Sequence, residues 1–460
     1  MKTKIWVVMV FFLVGMGCTS AIGKTIYVDV NAPGPLHDGN SWGTAYKYLQ
    51  DAWAAASSGD EIRVAKGIYK PDQGAGVPAG ERIMAFFLKN GVAIKGGYAG
   101  FGEPDPNARG IDGYETILSG DLNGDDSEVI HPDEPTRAEN SINVIRTLGN
   151  DATAVLDGFI ITGGNYNIHG IIASGGGGML NYSSSPTVMN CIFHSNSAGD
   201  GGGMYNDDSS PTLVNCTFSN NSASGGCGGM YNAYYSSPTI TNCIFWGNSD
   251  SSGMDESAQI SVGGGQIVIN YSCIQGWTGS LGGSGNIGQN PLFADPNVSD
   301  YHLSEDSPCI DAGDPNYIAE PNETDLDGNP RIFGDRIDMG AYEFVPSINA
   351  TIVIRPETLN LASRGKWITC RIWLPDNYNV TDINPNSFFL EDEIEPLWLW
   401  FDEEQQVVMA KFSRSALQEV LADLETPSEV ELTVSGELVD GTVFEGTDTI
   451  KVIDKGRKKK

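Results

Sequence analysis

Basic residues are scarce in this chain, and their scarcity excludes several functions. Lys and Arg total 27 of 460 residues against 59 Asp and Glu, a formal net charge of −32. A chain this acidic repels phosphate backbones and anionic lipids, so neither is expected as a partner. No Lys or Arg occurs between Arg146 and Arg331. That stretch therefore offers no basic side chain as a catalytic base or as a clamp for a substrate carboxylate.

Long apolar runs are also lacking, apart from one at the N-terminus. Lys2 and Lys4 precede an apolar stretch over residues 5–16, which is too short to cross a bilayer. This pattern predicts a signal peptide over residues 1–23, and hence a secreted or cell-surface protein without a transmembrane span in its mature chain. Cys18 offers an alternative, a lipoprotein anchor, but residues 15–17 lack the Leu typical of a lipidation signal.

Glycine, with 57 residues, is abundant, and the middle of the chain repeats. Each of three copies contains Gly-Gly-Met-x-Asn, then Asn-Cys-x-Phe, then Phe-x-x-Asn. The copies contain Asn181, Cys191, Phe193 and Asn196; Asn206, Cys216, Phe218 and Asn221; and Asn232, Cys243, Phe245 and Asn248. The Cys residues lie 25 and then 27 residues apart, which is too short for a β-propeller blade.

Within each copy the pattern is that of short strands. Cys and Phe alternate, so both point inward, and the residue between them is expected to face outward. Asn190, Asn215 and Asn242 fall where two strands must bend, and Asn tolerates the left-handed backbone of such a bend. Stacked copies bury a continuous core and pair their strands in parallel. The repeat predicts an all-β fold, a right-handed parallel β-helix of the pectate-lyase-like type, with Asn ladders along its bends.

These motifs also support resemblances to known families. Gly-Gly-Met and Phe-x-x-Asn resemble the repeats of polymorphic outer-membrane proteins over residues 150–280. Residues 26–69, with a strand, a helix capped by Thr44 and a second strand, resemble the opening of secreted bacterial β-helix proteins. Four ordered motifs at residues 290–293, 307–313, 325–331 and 338–343 resemble the choice-of-anchor Q domain. The last resemblance implies a segment that closes a β-helix in surface proteins.

The resulting organisation has a β-helix over residues 24–346. It comprises an N-terminal cap (24–70), regular repeats (150–280) and a closing segment (288–345). Alternating apolar runs then predict an immunoglobulin-like β-sandwich over residues 350–455, with one helix at residues 415–424. A basic tail, residues 456–460, follows.

Catalytic candidates are few. Asp207 and Asp208 are the adjacent acidic pair of the regular repeats, as glycoside hydrolysis would need, but they occupy a turn position that also suits solvated side chains. Seven Cys residues remain after the predicted signal peptide, an odd number that cannot pair completely. We expect the inward Cys column to hold free thiols.

Binding candidates are of two kinds. Tyr205, Tyr231, Tyr235 and Trp246 are expected to be exposed and could stack on sugars, although aromatic ladders also stabilise β-helices without a ligand. Two acidic segments alternate oxygen ligands as calcium loops do, although an Asx turn explains the same pattern. The first contains Asp121, Asn123 and Asp125, and the second contains Asp325, Asp327 and Asn329.

Three functions follow from these observations. The leading hypothesis is a non-catalytic secreted or cell-surface β-helix protein that serves in adhesion or contacts a polysaccharide or envelope glycan, with Ca²⁺ as its candidate cofactor. The alternatives are a polysaccharide lyase or glycoside hydrolase, and a structural envelope component. An acidic pair or a Lys or Arg in a lateral groove would favour the enzyme.

Overall fold

The computed structural model describes residues 23–110, 113–167, 175–320, 323–375, 378–391, 393–422, 424, 426–439 and 441–454. Residues 1–22 of the predicted signal peptide, including Cys18, and the predicted basic tail lie outside this range. The chain divides into two structural units between Glu343 and Phe344, and each is described by itself.

The first unit is a right-handed parallel β-helix, as the repeat predicts. Each regular coil passes through sheet A, sheet B and sheet C, and strands of successive coils pair in parallel. In the described residues, sheet A contains Thr25–Val28, Glu61–Ala65, Ala93–Tyr98, Val155–Asp157, Thr187–Met189, Thr212–Val214, Thr239–Thr241 and Val268–Asn270. Sheet B contains Gly67–Tyr69, Thr116–Ser119, Ile160–Thr162, Ile192–His194, Thr217–Ser219, Ile244–Trp246 and Cys273–Ile274. Sheet C contains Phe86–Phe87, Ile145–Leu148, Met179–Tyr182, Met204–Asp207, Met230–Ala233 and Ile260–Val262.

Shorter elements complete this unit. The strands Asn165–Tyr166, Ser197–Ala198 and Ser222–Ala223 pair between sheets B and C, and Phe293–Asp295 pairs antiparallel with Asp300–Leu303. The α-helices are Leu49–Ala55 and Glu256–Gln259, and the 3₁₀ turns are Trp42–Thr44, Pro135–Arg137 and Pro296–Val298. Thr44 does not cap the first helix, contrary to the prediction, because it ends a separate 3₁₀ turn and Tyr48 occupies the N-cap.

The repeated positions fill the core and its bends as expected. Phe193, Phe218 and Phe245 stack face to face, with ring centroids 4.5 and 4.7 Å apart. Asn190, Asn215 and Asn242 have φ angles of 50°, 53° and 54° at the bend between sheets A and B. Their side chains hydrogen-bond from coil to coil, as do those of two further Asn columns. These columns are Asn181, Asn206 and Asn232, and Asn196, Asn221 and Asn248.

The outer face of sheet B is covered, contrary to the expectation that it faces solvent. Ile192, Thr217 and Ile244 are each 1% exposed. Tyr301 and Tyr342 of the closing segment belong to the apolar cluster that contains Ile192. The closing segment therefore runs along the side of the β-helix, and its packing converts outward positions into a second apolar layer.

The second unit is a β-sandwich. One of its sheets contains Ser347–Asn349, Thr358–Asn360, Phe389–Leu390, Ser428–Glu437 and Val443–Ile453, and the other contains Thr351–Arg355, Trp367–Trp373, Trp398–Asp402 and Val407–Ser413. Ile354, Phe412 and Phe444 lie in the core between them. The predicted helix is shorter than expected and spans Arg414–Val420, and a 3₁₀ turn spans Val380–Asp382.

A helix that could span a bilayer is not found among the described residues.

Candidate functional site

Two adjoining cavities form a groove that runs along the C-terminal ends of the strands of sheet B. We call it the lateral groove. The larger cavity is about 600 Å³ and contains Trp246 in its wall; the smaller, about 280 Å³, contains Arg137. The two share Asn220, Pro296 and Asn297 in their linings. The strand ends of sheet B therefore form one side of the groove, and the Pro296–Val298 turn of the closing segment forms the other.

Trp246 is positioned by the register of sheet B. It follows the inward Phe245, and Gly247, with φ 76°, turns the chain immediately afterwards. Trp246 pairs in register with the much smaller Ser219 of the preceding coil. Because Ser219 leaves space beside the indole, Trp246 is half-buried and keeps one side toward the groove.

Polar and acidic groups surround this indole. Ser219, Asn220, Asn290, Asn297 and Ser304 line the larger cavity and offer amide and hydroxyl groups. Two carboxylates, Glu305 and Asp306, lie exposed in a turn on the rim of the same cavity. Phe293, Met254 and Leu292 also line this cavity, so the groove combines aromatic and apolar surface, neutral hydrogen-bonding groups and negative charge.

Arg137 enters the smaller cavity from the segment between the strands Thr116–Ser119 and Ile145–Leu148, which we call the insertion. Its guanidinium is 1% exposed and donates to Asp126 Oδ2 at 2.8 Å and to the Ser195 carbonyl at 2.8 Å. It also donates to Ser197 Oγ and the Gly164 carbonyl. The sequence did not indicate this contact, because Arg137 lies before the regular repeats and the repeats themselves contain no Lys or Arg. Its position among these acceptors indicates a structural fastening of the insertion to the coils.

The first predicted calcium segment is arranged differently from the expectation. Among the described residues, the acidic groups close enough to share a cation are Asp121, Asp126 and Glu139, while Asn123 and Asp125 are exposed. Asp121 Oδ1 accepts the backbone N–H groups of Gly124 and Asp125. Burial raises the pKa of Asp126 and of Glu139. Asp121 thus serves as a turn acceptor and Asp126 as the ion-pair partner of Arg137, whereas Glu139 Oε1 is buried without a hydrogen-bond partner among the described residues. Calcium stays a prediction.

The second predicted calcium segment is an Asx turn. Asp325 Oδ1 accepts the backbone N–H groups of Asp327 at 2.9 Å and Asn329 at 2.8 Å, and Asp325 Oδ2 accepts that of Glu343 at 2.9 Å. The Asn329 side chain presents its amide nitrogen to Asp325, at 3.3 Å. Burial raises the pKa of Asp325 to about 6. These hydrogen bonds account for the Asp325 oxygens and for Asn329, whereas the Asp327 carboxylate contacts His302 instead, through Oδ2.

A further cavity, of about 450 Å³, adjoins His302, which the sequence did not mark as functional. Its Nδ1 lies 2.5 Å from Asp300 Oδ1, its Nε2 lies 2.8 Å from Asp327 Oδ2, and its ring stacks on Tyr342 at 3.9 Å. Burial alone would lower the pKa of His302, but the hydrogen bonds and charges of Asp327 and Asp300 outweigh it and raise the pKa to about 9. Both nitrogens are engaged, so the ring joins two parts of the closing segment. Asp300 and His302 are two residues apart in one strand, so their side chains lie on the same face. This spacing could have predicted their contact from the sequence.

The predicted acidic pair spans the end of a strand and the bend that follows it. Asp207 ends the strand Met204–Asp207 and is half-buried, whereas Asp208 is exposed with φ 49°. Burial and the charge of Asp208 raise the pKa of Asp207. The position is the one expected for solvated turn residues.

The predicted aromatic residues do not form one strip. Tyr205 is 5% exposed, so the expectation of an exposed ring is wrong for it: the ring lies against Gly175, where a Cβ atom would come within 2.1 Å. Tyr231, half-buried, stacks on it at 5.3 Å in sheet C, and Tyr235 is 83% exposed in a turn. Of the predicted aromatic residues, Trp246 is the one found in the lateral groove.

Comparison with known proteins agrees with the fold. A family model described as a right-handed β-helix region matches residues 138–280. Searching the curated proteins gave no match.

Proposed function

We propose that this chain is an exported protein, secreted or held at the cell surface, that binds a neutral glycan without catalysis in the lateral groove. The observation that carries the proposal is Trp246, a half-buried indole that lines a cavity of about 600 Å³ together with Asn and Ser side chains. Indole faces pack on the apolar faces of sugar rings. Asn amides both donate and accept, as sugar hydroxyls require.

Charge favours a neutral ligand. The groove contains Glu305 and Asp306 at one end and Asp121, Asp126 and Glu128 at the other. Its cation, Arg137, already faces Asp126 at 2.8 Å. A polyuronate would be repelled along the whole length of the groove, and a net charge of −32 adds to this repulsion.

Geometry favours binding over catalysis. A glycosidase places two carboxyl groups on either side of the scissile bond. Glu305 and Asp306 are adjacent in one exposed turn. At the other end of the groove, Asp121 already accepts backbone N–H groups and Asp126 already accepts from Arg137. The presence of Glu305 and Asp306 in the groove makes glycoside hydrolysis the second candidate.

A glycan array tests the binding proposal. The full chain should bind a neutral glycan, and Trp246→Ala should weaken that binding by about 2 kcal/mol, roughly thirtyfold in Kd. The matched control is Trp400→Ala, because Trp400 is an exposed tryptophan of the second unit. Unchanged binding by Trp246→Ala, or equal losses in both variants, would contradict the proposed site.

Turnover separates the two candidates. Array hits are incubated with the full chain and assayed for reducing ends and for unsaturated uronates, and we expect neither. Release of reducing ends that Glu305→Gln or Asp306→Asn abolishes would replace the binding proposal with hydrolysis.

A further inference from the structure

Cys273 occupies a different position from the other repeat cysteines. It pairs in register with Ile244, an outward residue of sheet B, while Ile274 pairs with the inward Phe245. The inward position of the Cys column is taken in this coil by Ser272, whose hydroxyl accepts the Cys243 backbone N–H at 3.1 Å. The Cys273 thiol therefore points out of the core, toward the layer where the closing segment lies, and is 0% exposed.

Cys309 approaches from the closing segment. Its backbone N–H donates to Ser307 Oγ at 3.2 Å, and its carbonyl accepts the Met339 N–H at 3.0 Å. The Cys309 side chain is also fully buried and lies close enough to Cys273 to affect the pKa of its thiol. Cys273 Sγ donates to the Gln289 carbonyl at 3.2 Å, and Ser307 Oγ donates to the nearby Pro291 carbonyl at 2.6 Å. The two thiols thus meet between the last regular coil and the segment that covers it.

We propose that Cys273 and Cys309 form a disulfide when the chain folds under oxidising conditions, and that this bond fastens the closing segment to the β-helix. A small-molecule disulfide such as oxidised glutathione is the oxidant. One cysteine thiolate attacks it, releases one glutathione thiol and forms a mixed disulfide. The second cysteine displaces the second glutathione thiol, so two cysteine thiols are oxidised and one disulfide is reduced to two thiols.

The geometry favours this pair over the inward column. Cys216 and Cys243 are also hydrogen-bonding partners, but they project in parallel from neighbouring coils. Neighbouring strands lie about 4.8 Å apart, whereas a disulfide needs Cβ atoms roughly 3.5–4.5 Å apart. Cys273 lies in a strand of sheet B and Cys309 lies outside the strands, so no strand register fixes the distance between the two side chains.

Burial sets the time at which the bond forms. The hydrogen bond to Cys309 and burial raise the pKa of Cys273 well above its usual value, which disfavours the thiolate that reacts. The folded, reduced protein therefore oxidises slowly. The bond forms during folding, before the closing segment excludes the oxidant, and it then resists reductants until the segment detaches.

Peptide mapping of the refolded full chain tests the proposal. The chain is refolded with a glutathione redox buffer or with excess thiol, alkylated under denaturing conditions and digested. Trypsin is unsuitable because no Lys or Arg separates these cysteines. Cleavage at acidic residues releases Cys273 between Glu256 and Asp295, and Cys309 between Asp306 and Asp311.

We expect a Cys273–Cys309 linked pair in the oxidised sample alone, while Cys191, Cys216 and Cys243 are alkylated in both. Alkylated Cys273 and Cys309 in the oxidised sample, or their linkage to other cysteines, would overturn the proposal. Because both samples contain the wild-type chain, this test does not depend on whether a variant folds.

A stability measurement provides a second readout. Oxidation should raise the melting temperature of the wild-type β-helix by roughly 5–10 °C. That gain should vanish in the double variant Cys273→Ser, Cys309→Ser and persist in Cys370→Ser, whose altered residue lies in the second unit. A gain of equal size in the double variant would contradict the proposed bond.

Discussion

Replacement of Asn206 by Ala tests whether the Asn ladder holds the coils together. Asn206 is fully buried in sheet C. Its Nδ2 donates to Asn232 Oδ1 at 2.8 Å, and its Oδ1 accepts from Asn181 Nδ2 at 2.8 Å. The substitution removes both bonds and leaves one buried donor and one buried acceptor without a partner.

The expected loss follows from these two groups. A buried polar group that loses its partner costs about 1–3 kcal/mol. We therefore expect Asn206→Ala to lower the free energy of unfolding by about 2–6 kcal/mol, with the lower values applying where water enters the space. Asn206→Asp should lose more at neutral pH, because its carboxylate would face Asn232 Oδ1. Burial should raise the pKa of that new carboxyl, so the added penalty should be absent below its unfolded-state pKa of about 3.9 and grow as pH rises.

Hydrogen exchange followed by mass spectrometry measures this loss for the first unit separately from the second. Peptides from sheet C should exchange faster in Asn206→Ala. The control is Asn123→Ala, because Asn123 is an exposed asparagine of the same unit and its replacement should change stability by less than about 0.5 kcal/mol. A loss below about 0.5 kcal/mol for Asn206→Ala, or equal changes in both variants, would refute the ladder as a stabilising feature.

The remaining predictions concern His302, Arg137 and calcium. The folded-state pKa of His302 is raised from 6.5 to about 9, so its stabilising contribution is full below pH 6.5 and lost as pH rises through 9. The difference in melting temperature between wild type and His302→Gln should shrink over that range, and a constant difference would contradict a stabilising ion pair of His302 with Asp300 and Asp327. Arg137→Ala should lower the free energy of unfolding by about 3–5 kcal/mol, because it leaves the Asp126 carboxylate without its ion-pair partner. Arg137→Lys should not restore the stability, since one ammonium group cannot make the several hydrogen bonds of a guanidinium. Full rescue by Lys would show that charge alone matters. Removal of calcium by a chelator should leave glycan binding unchanged, because the Asp121 and Asp325 oxygens already accept backbone N–H groups; binding that requires calcium and is lost in Asp121→Asn would instead place an ion at that carboxylate.

Features that recur at one spacing were predictable from the sequence. Asn215 and Phe218 have counterparts 25 residues earlier and 27 residues later. In a stacked solenoid such counterparts are spatial neighbours, so the Asn bends and the Phe stack follow directly. The β-sandwich was also predictable from its alternating strands.

Contacts between distant segments were not predictable in the same way. Ile192 and Thr217 occupy the same position in successive coils, and the change from an apolar to a polar residue indicated that this position faces solvent. In the structure Tyr301 packs beside Ile192, and the Ala341 backbone N–H donates to Thr217 Oγ1. Arg137 reaches Ser195 across 58 residues of sequence. Such contacts depend on the path of the closing segment and the insertion, which no repeat encodes.

Only part of the candidate site was predictable, because it too depends on contacts between distant segments. Trp246 was predicted to stack on sugars because it is an aromatic residue that was expected to be exposed. The groove beside it also requires Asn290, Asn297 and the Pro296–Val298 turn, and the closing segment brings these to sheet B. Tyr205 was misjudged because Gly175, from an earlier part of the chain, lies over its ring.

A crystal structure of the full chain soaked with a neutral oligosaccharide from the array would show directly where the glycan binds. We expect an intact sugar ring packed on the Trp246 indole, with hydroxyl groups within hydrogen-bonding distance of Asn220 or Asn297. A sugar bound instead at the exposed Tyr235, or an empty lateral groove at saturating ligand, would contradict this expectation.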